Sequence, residues 1–277
     1  MKISILGYGV FGGAVASHLE KNGHIIYKEE IKDSEIIIVA VPSYAVSDVL
    51  IANKNDINNQ KIIICSKGFD KSGNLFSEVL NDIFPNNGIY FLYGPTLAQE
   101  LKNGDFSIMV LAGDDGKDVL KKILESDDLK IELSDDIIGV QVGSALKNIV
   151  TIFIGIVEGA GFGQNTQAFI YSYGLKEIQK IGVALGADRN TFSGPSCAGD
   201  IFMRSRSRLL GVEIGKGRSF EDLDKEIKYP KEGINSLRIL LDMKKDNLDL
   251  RFFQLVNSVI FENYSIKEAV KKLIKIN

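Results

Sequence analysis

The stretch GSALKNIVTIFIG, residues 143–155, places a lysine and an asparagine, Lys147 and Asn148, inside an otherwise apolar run. An ammonium is costly to bury without a partner, so its presence there calls for a chemical reason. On a helical wheel Ser144, Lys147, Asn148, Thr151, Gly155 and Glu158 fall on one stripe, with Leu146, Ile149, Val150 and Phe153 on the other faces. Such a helix is expected to be buried on most sides while its polar stripe lines a wet crevice. A lysine held there could donate a proton or hold an anion, although a lysine snorkelling from a core helix gives the same pattern. Lys67 follows the apolar run KIIICS, where a sheet displays ligand groups. YGPT (93–96) ends another such run with Gly94 and Thr96, and CAGDIFMRSRSR (197–208) gathers Asp200, Arg204, Arg206 and Arg208 with two serines. That cluster suits phosphate recognition by guanidinium, and a solvated charged loop fits it as well.

A fourth motif is GYGVFG (7–12), which matches GxGxxG and lies between an apolar run, KISIL, and a helical pattern with Phe11, Val15 and Leu19 four apart. Gly7 permits a tight turn, Gly9 lets the backbone approach a pyrophosphate, and Gly12 allows close helix–sheet packing. The free N–H groups of the following helix would face the phosphates. Glu29 and Glu30, near the end of the next strand, are candidates for ribose hydroxyls, and Lys28 for a 2′-phosphate. A solvated turn accounts for the same residues equally well, and the loop alone would also serve a flavin.

The elements that position these motifs change character along the chain. Strands are predicted at 2–6, 24–28, 35–42, 61–66, 89–93, 107–113 and 130–133, with helices at 11–22 and 116–126 among them, which predicts a parallel sheet covered on both faces. Beyond residue 134 the pattern is helical, at 137–157, 164–185, 220–228, 232–245, 249–262 and 266–275, with Ser219/Asp222 and Ser265/Glu268 as capping boxes. The expected architecture is α/β: an N-terminal Rossmann-type domain, 1–134, followed by an all-α substrate domain, 135–277, with the site between them.

Composition narrows the class. The chain has 277 residues, a net charge of −3 and two cysteines, Cys65 and Cys197. There is no global electrostatic case for nucleic acid, no Cys/His cluster for a metal, and no apolar run approaching a membrane span. Both thiols are expected to be buried, as suits a soluble cytoplasmic protein. An apolar helical second domain is compatible with a homodimer.

The chain resembles the NAD(P)-dependent glycerol-3-phosphate dehydrogenases. The resemblance is carried by GYGVFG (7–12), VAVPS (39–43), SKGFD (66–70), YGPTLAQE (93–100), GSALKNIVTIFIGIVEGAGFGQNTQA (143–168), GVALGAD (182–188), AGD (198–200) and KEG (231–233). It covers nearly the whole chain in the family's order. It implies NAD or NADP as cofactor, a small phosphorylated substrate, and reversible reduction of dihydroxyacetone phosphate to glycerol 3-phosphate, feeding glycerophospholipid synthesis. Lys147 becomes the catalytic lysine, with Lys67, Asn148 and Asp200 as active-site partners. Arg206 becomes the phosphate ligand between Ser205 and Ser207, and Gly94 and Thr96 fall on the substrate loop. Val10, Phe11, Ala98 and Glu232 correspond to cofactor contacts, to which Lys67 and Arg206 also belong.

This chain departs from the family in three places. The segment after HIIYK is short; the segment after AGD is shortened, with Arg204 where a hydroxyl residue is usual; and Gln167 replaces a lysine. The reading assigns Lys147 to protonate the nascent alkoxide, Lys67 to hold and polarise the ketone, and Arg206 to clamp the phosphate. Burial and the cations Lys67 and Arg206 should lower the Lys147 pKa from about 10.4, with Asp200 opposing. Histidine-dependent dehydrogenases are disfavoured because the only histidines are His18 and His24. A related lysine-dependent reductase of another phosphorylated ketone or 3-hydroxy acid, and a catalytically inactive cofactor-binding sensor, are the alternatives.

Overall fold

The computed structural model describes residues 1–31, 33–229, 231–243 and 248–275. The chain begins with β1 (Lys2–Leu6), α1 (Val10–Lys21), β2 (Ile25–Lys28), β3 (Ile36–Val39), α2 (Val46–Ala52), β4 (Lys61–Ile64) and α3 (Phe76–Ile83). It continues through β5 (Ile89–Tyr93), α4 (Ala98–Asn103), β6 (Ser107–Gly113), α5 (Lys117–Leu124) and β7 (Leu129–Ser134). The seven strands form one sheet in the order β2-β1-β3-β4-β5-β6-β7. The strand IIIV is apolar throughout because both faces of β3 are covered. Ile36 and Ile38 enter the core on one face of the sheet, Ile37 and Val39 the core on the other.

The sheet departs from the all-parallel expectation at one joint. β5 and β6 are antiparallel, with Tyr90 opposite Gly113 and Tyr93 opposite Val110, whereas the other joints are parallel. The reason lies in the connection. α4 packs against α1, where Lys21 Nζ donates to the Lys102 carbonyl at 2.9 Å, instead of crossing a sheet face. The chain therefore re-enters the sheet at the end it left.

β2 and β3 flank β1 and both run parallel to it, yet only residues 29–35 join them. At full extension seven residues reach about 23 Å, enough to pass β1 without a helix. The link is tied to that strand: Ser4 Oγ donates to the Glu30 carbonyl at 2.6 Å and Glu35 N to the Lys2 carbonyl at 2.9 Å.

The helical part comprises α6 (Ile137–Gly159), α7 (Gln164–Ala184), a 3-10 turn (Arg189–Ser193), a π turn (Pro195–Gly199), α8 (Asp200–Phe202) and α9 (Arg206–Gly215). It ends with α10 (Phe220–Glu226), α11 (Glu232–Asp242), α12 (Arg251–Phe261) and α13 (Ile266–Lys275). Predicted and observed ends agree within a few residues; the expected end of α11, 244–245, lies outside the described residues. Ser219 caps α10 by accepting from Asp222 N at 3.2 Å. The α/β reading and the all-α remainder thus both hold, while α2, α3, α4, α8 and α9 have no counterpart among the predicted helices; at α9 the polar RSRSR shows no apolar periodicity.

α6 is the core of this part. By length and composition it could cross a membrane, contrary to the reading that no apolar run comes close, but 89% of its most apolar window is buried inside the protein. α9 crosses it at backbone contact. A Cβ on Gly155 or Gly159 would stand 2.2 Å from the Arg208 carbonyl oxygen or 2.1 Å from that of Val212. In return, a Cβ on Gly211 or Gly215 would stand 2.0 Å from the Ile152 oxygen or 2.1 Å from that of Ile156. Only glycine lets two helices meet so closely.

Candidate active site

Three charged side chains from distant parts of the sequence meet at Asp200, the first residue of α8. Lys147, midway along α6 and 3% exposed, donates from Nζ to Asp200 Oδ1 at 2.7 Å. Lys67, just beyond β4, donates to Asp200 Oδ2 and, at 3.0 Å, to the carbonyl oxygen of Gly94, just beyond β5. One carboxylate thus pairs with two ammoniums. Burial lowers the Lys147 pKa to about 8, with Asp200 opposing the drop and Lys67 deepening it. Arg206, expected to contribute, is not among the causes. Burial disfavours ionised Asp200, but Lys147 and Lys67 outweigh it and hold its pKa below the ordinary carboxylate value. The arrangement keeps a lysine close to its titration point while fixing its ammonium in one direction.

The stripe on α6 differs from the expected open crevice. Ser144, Lys147, Asn148 and Thr151 are all buried, and Gly155 lies against the α9 backbone. The polar groups find partners in the protein: Ser207 Oγ donates to Asn148 Oδ1 at 3.0 Å, and Thr151 Oγ1 to the Lys147 carbonyl at 2.9 Å. Small residues let α9 come close, and Asn148 then pairs with Ser207 across the contact. Among the described residues Ser144 Oγ is buried without a partner.

The same contact sorts the arginines of the RSRSR run. Arg204 Nη1 and Arg208 Nε both reach Glu158, at 2.8 and 2.7 Å, and Arg208 Nη2 donates to Gln167 Oε1 at 2.7 Å. Arg204 and Gln167, two of the departures noted in the sequence, are therefore tied to Glu158 and Arg208. Arg206 is left to line a cavity of about 670 Å³ with Val10, Phe11, Thr96, Leu97, Ala98, Gln99, Ser205, Ser207, Lys228 and Tyr229. Seven residues singled out in the sequence, Val10, Phe11, Thr96, Ala98, Ser205, Arg206 and Ser207, converge here from three separate segments. Lys67, Lys147 and Asp200 are not in its wall. Short links lead to them: Gly94, which receives Lys67, lies two residues before Thr96, and Asn148 is bonded to Ser207.

The glycine loop supplies the other side. Gly7 has a positive φ of 94°, and a Cβ there would lie 2.5 Å from the Ala40 backbone, while one on Gly12 would meet the Gly7 carbonyl at 2.0 Å. Around Gly9 nothing stands within 4 Å of a Cβ, and no side chain caps the helix that begins at Val10. Open space before an uncapped helix start fits a dinucleotide phosphate. At the end of β2, Glu29 takes a left-handed φ of 57°, and its carboxylate accepts from Gly7 N at 3.1 Å and Tyr8 N at 2.7 Å. Lys28 instead places its ammonium 4.7 Å from the centre of the Tyr8 ring.

Glu232 opens α11 away from the cavity wall. Its carboxylate receives Ser43 N at 3.0 Å and Ser43 Oγ, which ties α11 to the segment after β3. Burial raises its pKa, with the Ser43 bonds partly offsetting the rise. Sequence reasoning missed Ser43 as the anchor of α11, and Lys228 and Tyr229 as cavity residues; an aromatic beside a lysine just before KEG was the available signal. His18 and His24 bond to the carbonyls of Leu124 and Ile123, and Cys65 and Cys197 are buried free thiols as expected.

Two family models match. One, described as NAD-dependent glycerol-3-phosphate dehydrogenase N-terminus, covers residues 26–119, and its C-terminal counterpart covers 136–271. A glycerol-3-phosphate dehydrogenase (NAD(P)+) of Thermoanaerobacter sp. (strain X514) is 32% identical, over 99% of this chain and 96% of the relative. That of Ehrlichia ruminantium (strain Welgevonden) is 33% identical, over 99% and 100%. The alignment with the first spans 323 positions, more than the 277 residues present, so this chain lacks segments that the relative has. Among solved structures, glycerol-3-phosphate dehydrogenase from Coxiella burnetii superposes with a TM-score of 0.93 at 23% identity, covering 99% of each chain.

Proposed function

This chain belongs to the NAD-dependent glycerol-3-phosphate dehydrogenase family, and on that premise we propose that it interconverts dihydroxyacetone phosphate and glycerol 3-phosphate. The observation that carries the reading is Asp200 bonded to both Lys147 and Lys67, beside a cavity walled by the glycine-loop helix and by Arg206. Residues 1–134 would hold the cofactor, and 135–277 would supply the lysine, its aspartate and the phosphate site.

A nicotinamide dinucleotide, when bound, supplies hydride to the ketone carbon or takes it back from the alcohol. Val10 and Phe11, at the uncapped start of α1, would hold its phosphates. Glu29, at the end of β2, would accept from the ribose hydroxyls, which favours NADH over NADPH because a 2′-phosphate would meet a carboxylate. Arg206 would fix the substrate phosphate, so that binding far from the reacting carbon positions the carbonyl. As negative charge gathers on the carbonyl oxygen, Lys147 gives it a proton from Nζ; in the reverse direction the neutral amine takes that proton back. A pKa near 8 lets one side chain serve both directions near neutral pH. Asp200 holds Nζ in place, and Lys67 adds positive charge where the oxyanion forms. The presence together of Lys67, Lys147, Asp200 and Asn148 argues against a sensor that has lost catalysis. Two buried free thiols support a reducing, cytoplasmic setting.

The test is oxidation of NADH or NADPH by dihydroxyacetone phosphate, followed spectrophotometrically. Turnover that disappears in Lys147→Ala is expected. Tight NADH binding without ketone-dependent oxidation of either cofactor would overturn the proposal.

A further inference from the structure

Lys228 and Tyr229 stand in the connection between α10 and α11, and that connection is pinned at both ends. Lys231 Nζ donates to the carbonyls of Ile227 at 3.0 Å and Asp224 at 3.1 Å, and pairs with Asp224 Oδ1 at 2.6 Å. The next residue, Glu232, is bonded to Ser43 on the sheet side. Between these anchors Tyr229 meets Arg206: the guanidinium carbon lies 4.9 Å from the ring centre, and Tyr229 OH donates to the Arg206 carbonyl at 3.4 Å. A guanidinium on an aromatic face keeps its charge and leaves its N–H edges free for a ligand.

Among the described residues the cavity wall carries Arg206 and Lys228, the hydroxyls of Thr96, Ser205 and Ser207, and no carboxylate, although the chain as a whole is acidic with a net charge of −3. Among the described residues neither Arg206 nor Lys228 pairs with a carboxylate, while Arg204 and Arg208 flanking Arg206 both do. Ser205 Oγ in the same wall is buried without a partner among the described residues. A phosphate monoester bears close to two negative charges at neutral pH. One arginine balances one of them.

We infer that Lys228 is a second phosphate-binding cation of this cavity and that Tyr229 is a positioning residue that braces Arg206, together making up for the short segment between Asp200 and Arg206. The inference rests on the reading of the cavity as a phosphate site. Two sources share that chemistry, the substrate's monoester and the cofactor's pyrophosphate, since the wall also includes Val10 and Phe11.

The experiment compares Lys228→Gln with Lys228→Arg, and Tyr229→Leu with Tyr229→Phe, in the full chain. It reads kcat and KM for dihydroxyacetone phosphate, the Kd of NADH from its fluorescence without substrate, and the rise in Tm given by inorganic phosphate. Lys228→Gln and Tyr229→Leu should each weaken one phosphate interaction about 10-fold with little change in kcat, and the conservative partners should restore it. A raised ketone KM with unchanged NADH Kd assigns the monoester; a raised NADH Kd assigns the pyrophosphate. Unchanged KM, Kd and phosphate stabilisation in both Lys228→Gln and Tyr229→Leu would overturn the inference. If the wild-type chain turned over no phosphorylated ketone, the proposed function would fall. The NADH and inorganic phosphate readouts would then still decide the roles of Lys228 and Tyr229.

Discussion

Gly211→Ala tests whether the α6–α9 crossing sets the geometry of the site. The added Cβ would stand 2.0 Å from the Ile152 carbonyl oxygen. Carbon and carbonyl oxygen rest no closer than about 3.3 Å, so the helices must part by roughly 1 Å or distort. Overpacking of this kind costs about 1–3 kcal/mol. For a chain of this size that is a fall of roughly 3–10 °C in Tm. The displacement reaches the chemistry because α9 begins with Arg206 and Ser207, while α6 carries Lys147 and Asn148. A misplacement of about 1 Å can lower kcat/KM as much as 100-fold. Thermal denaturation and steady-state kinetics on dihydroxyacetone phosphate read the two effects together. Gly163→Ala is the control, since its Cβ would meet nothing within 4 Å and its φ is −71°. If Gly211→Ala matched the control in both Tm and kcat/KM, the close crossing would have no part in placing Arg206.

Lys147→Ala should lose mainly kcat, and in the wild type ketone reduction should fall as pH rises through about 8 while alcohol oxidation climbs over the same range; pH profiles of kcat/KM check this. Asp200→Asn leaves two ammoniums facing each other without their carboxylate, and should cost about 3–5 kcal/mol in urea denaturation as well as most of the activity. Arg206→Ala should raise the KM for the phosphorylated ketone, whereas Arg204→Ala, which breaks an exposed pair with Glu158, should leave it within a factor of about two. NADH should bind at least about 10-fold more tightly than NADPH by fluorescence titration, and Glu29→Gln should narrow that gap; equal affinities in the wild type would refute the role given to Glu29.

The sheet and the long helices were legible because each rests on local periodicity: EIIIV has a side chain for each face, and α6 repeats its apolar positions over many turns. What escaped was set by partners distant in sequence. The antiparallel joint depends on α4 finding α1, and the helix over Arg206–Gly215 depends on glycines that match glycines on α6. In the site, residue types revealed Lys67, Lys147 and Asp200 as chemically unusual, but not that one carboxylate would serve both lysines. The arginine run shows the same limit. Arg204, Arg206 and Arg208 look alike in sequence, and only the position of Glu158 separates them.

Asp200 draws one ammonium from the sheet side, at Lys67, and one from the helical side, at Lys147. A chimera that grafts a foreign nucleotide-binding half onto these helices inherits a requirement from that carboxylate. The donor must present a cation just past its fourth strand, or the seam will hold an unbalanced charge. Compatibility between the halves is thereby screened at a single atom pair, before any substrate arrives.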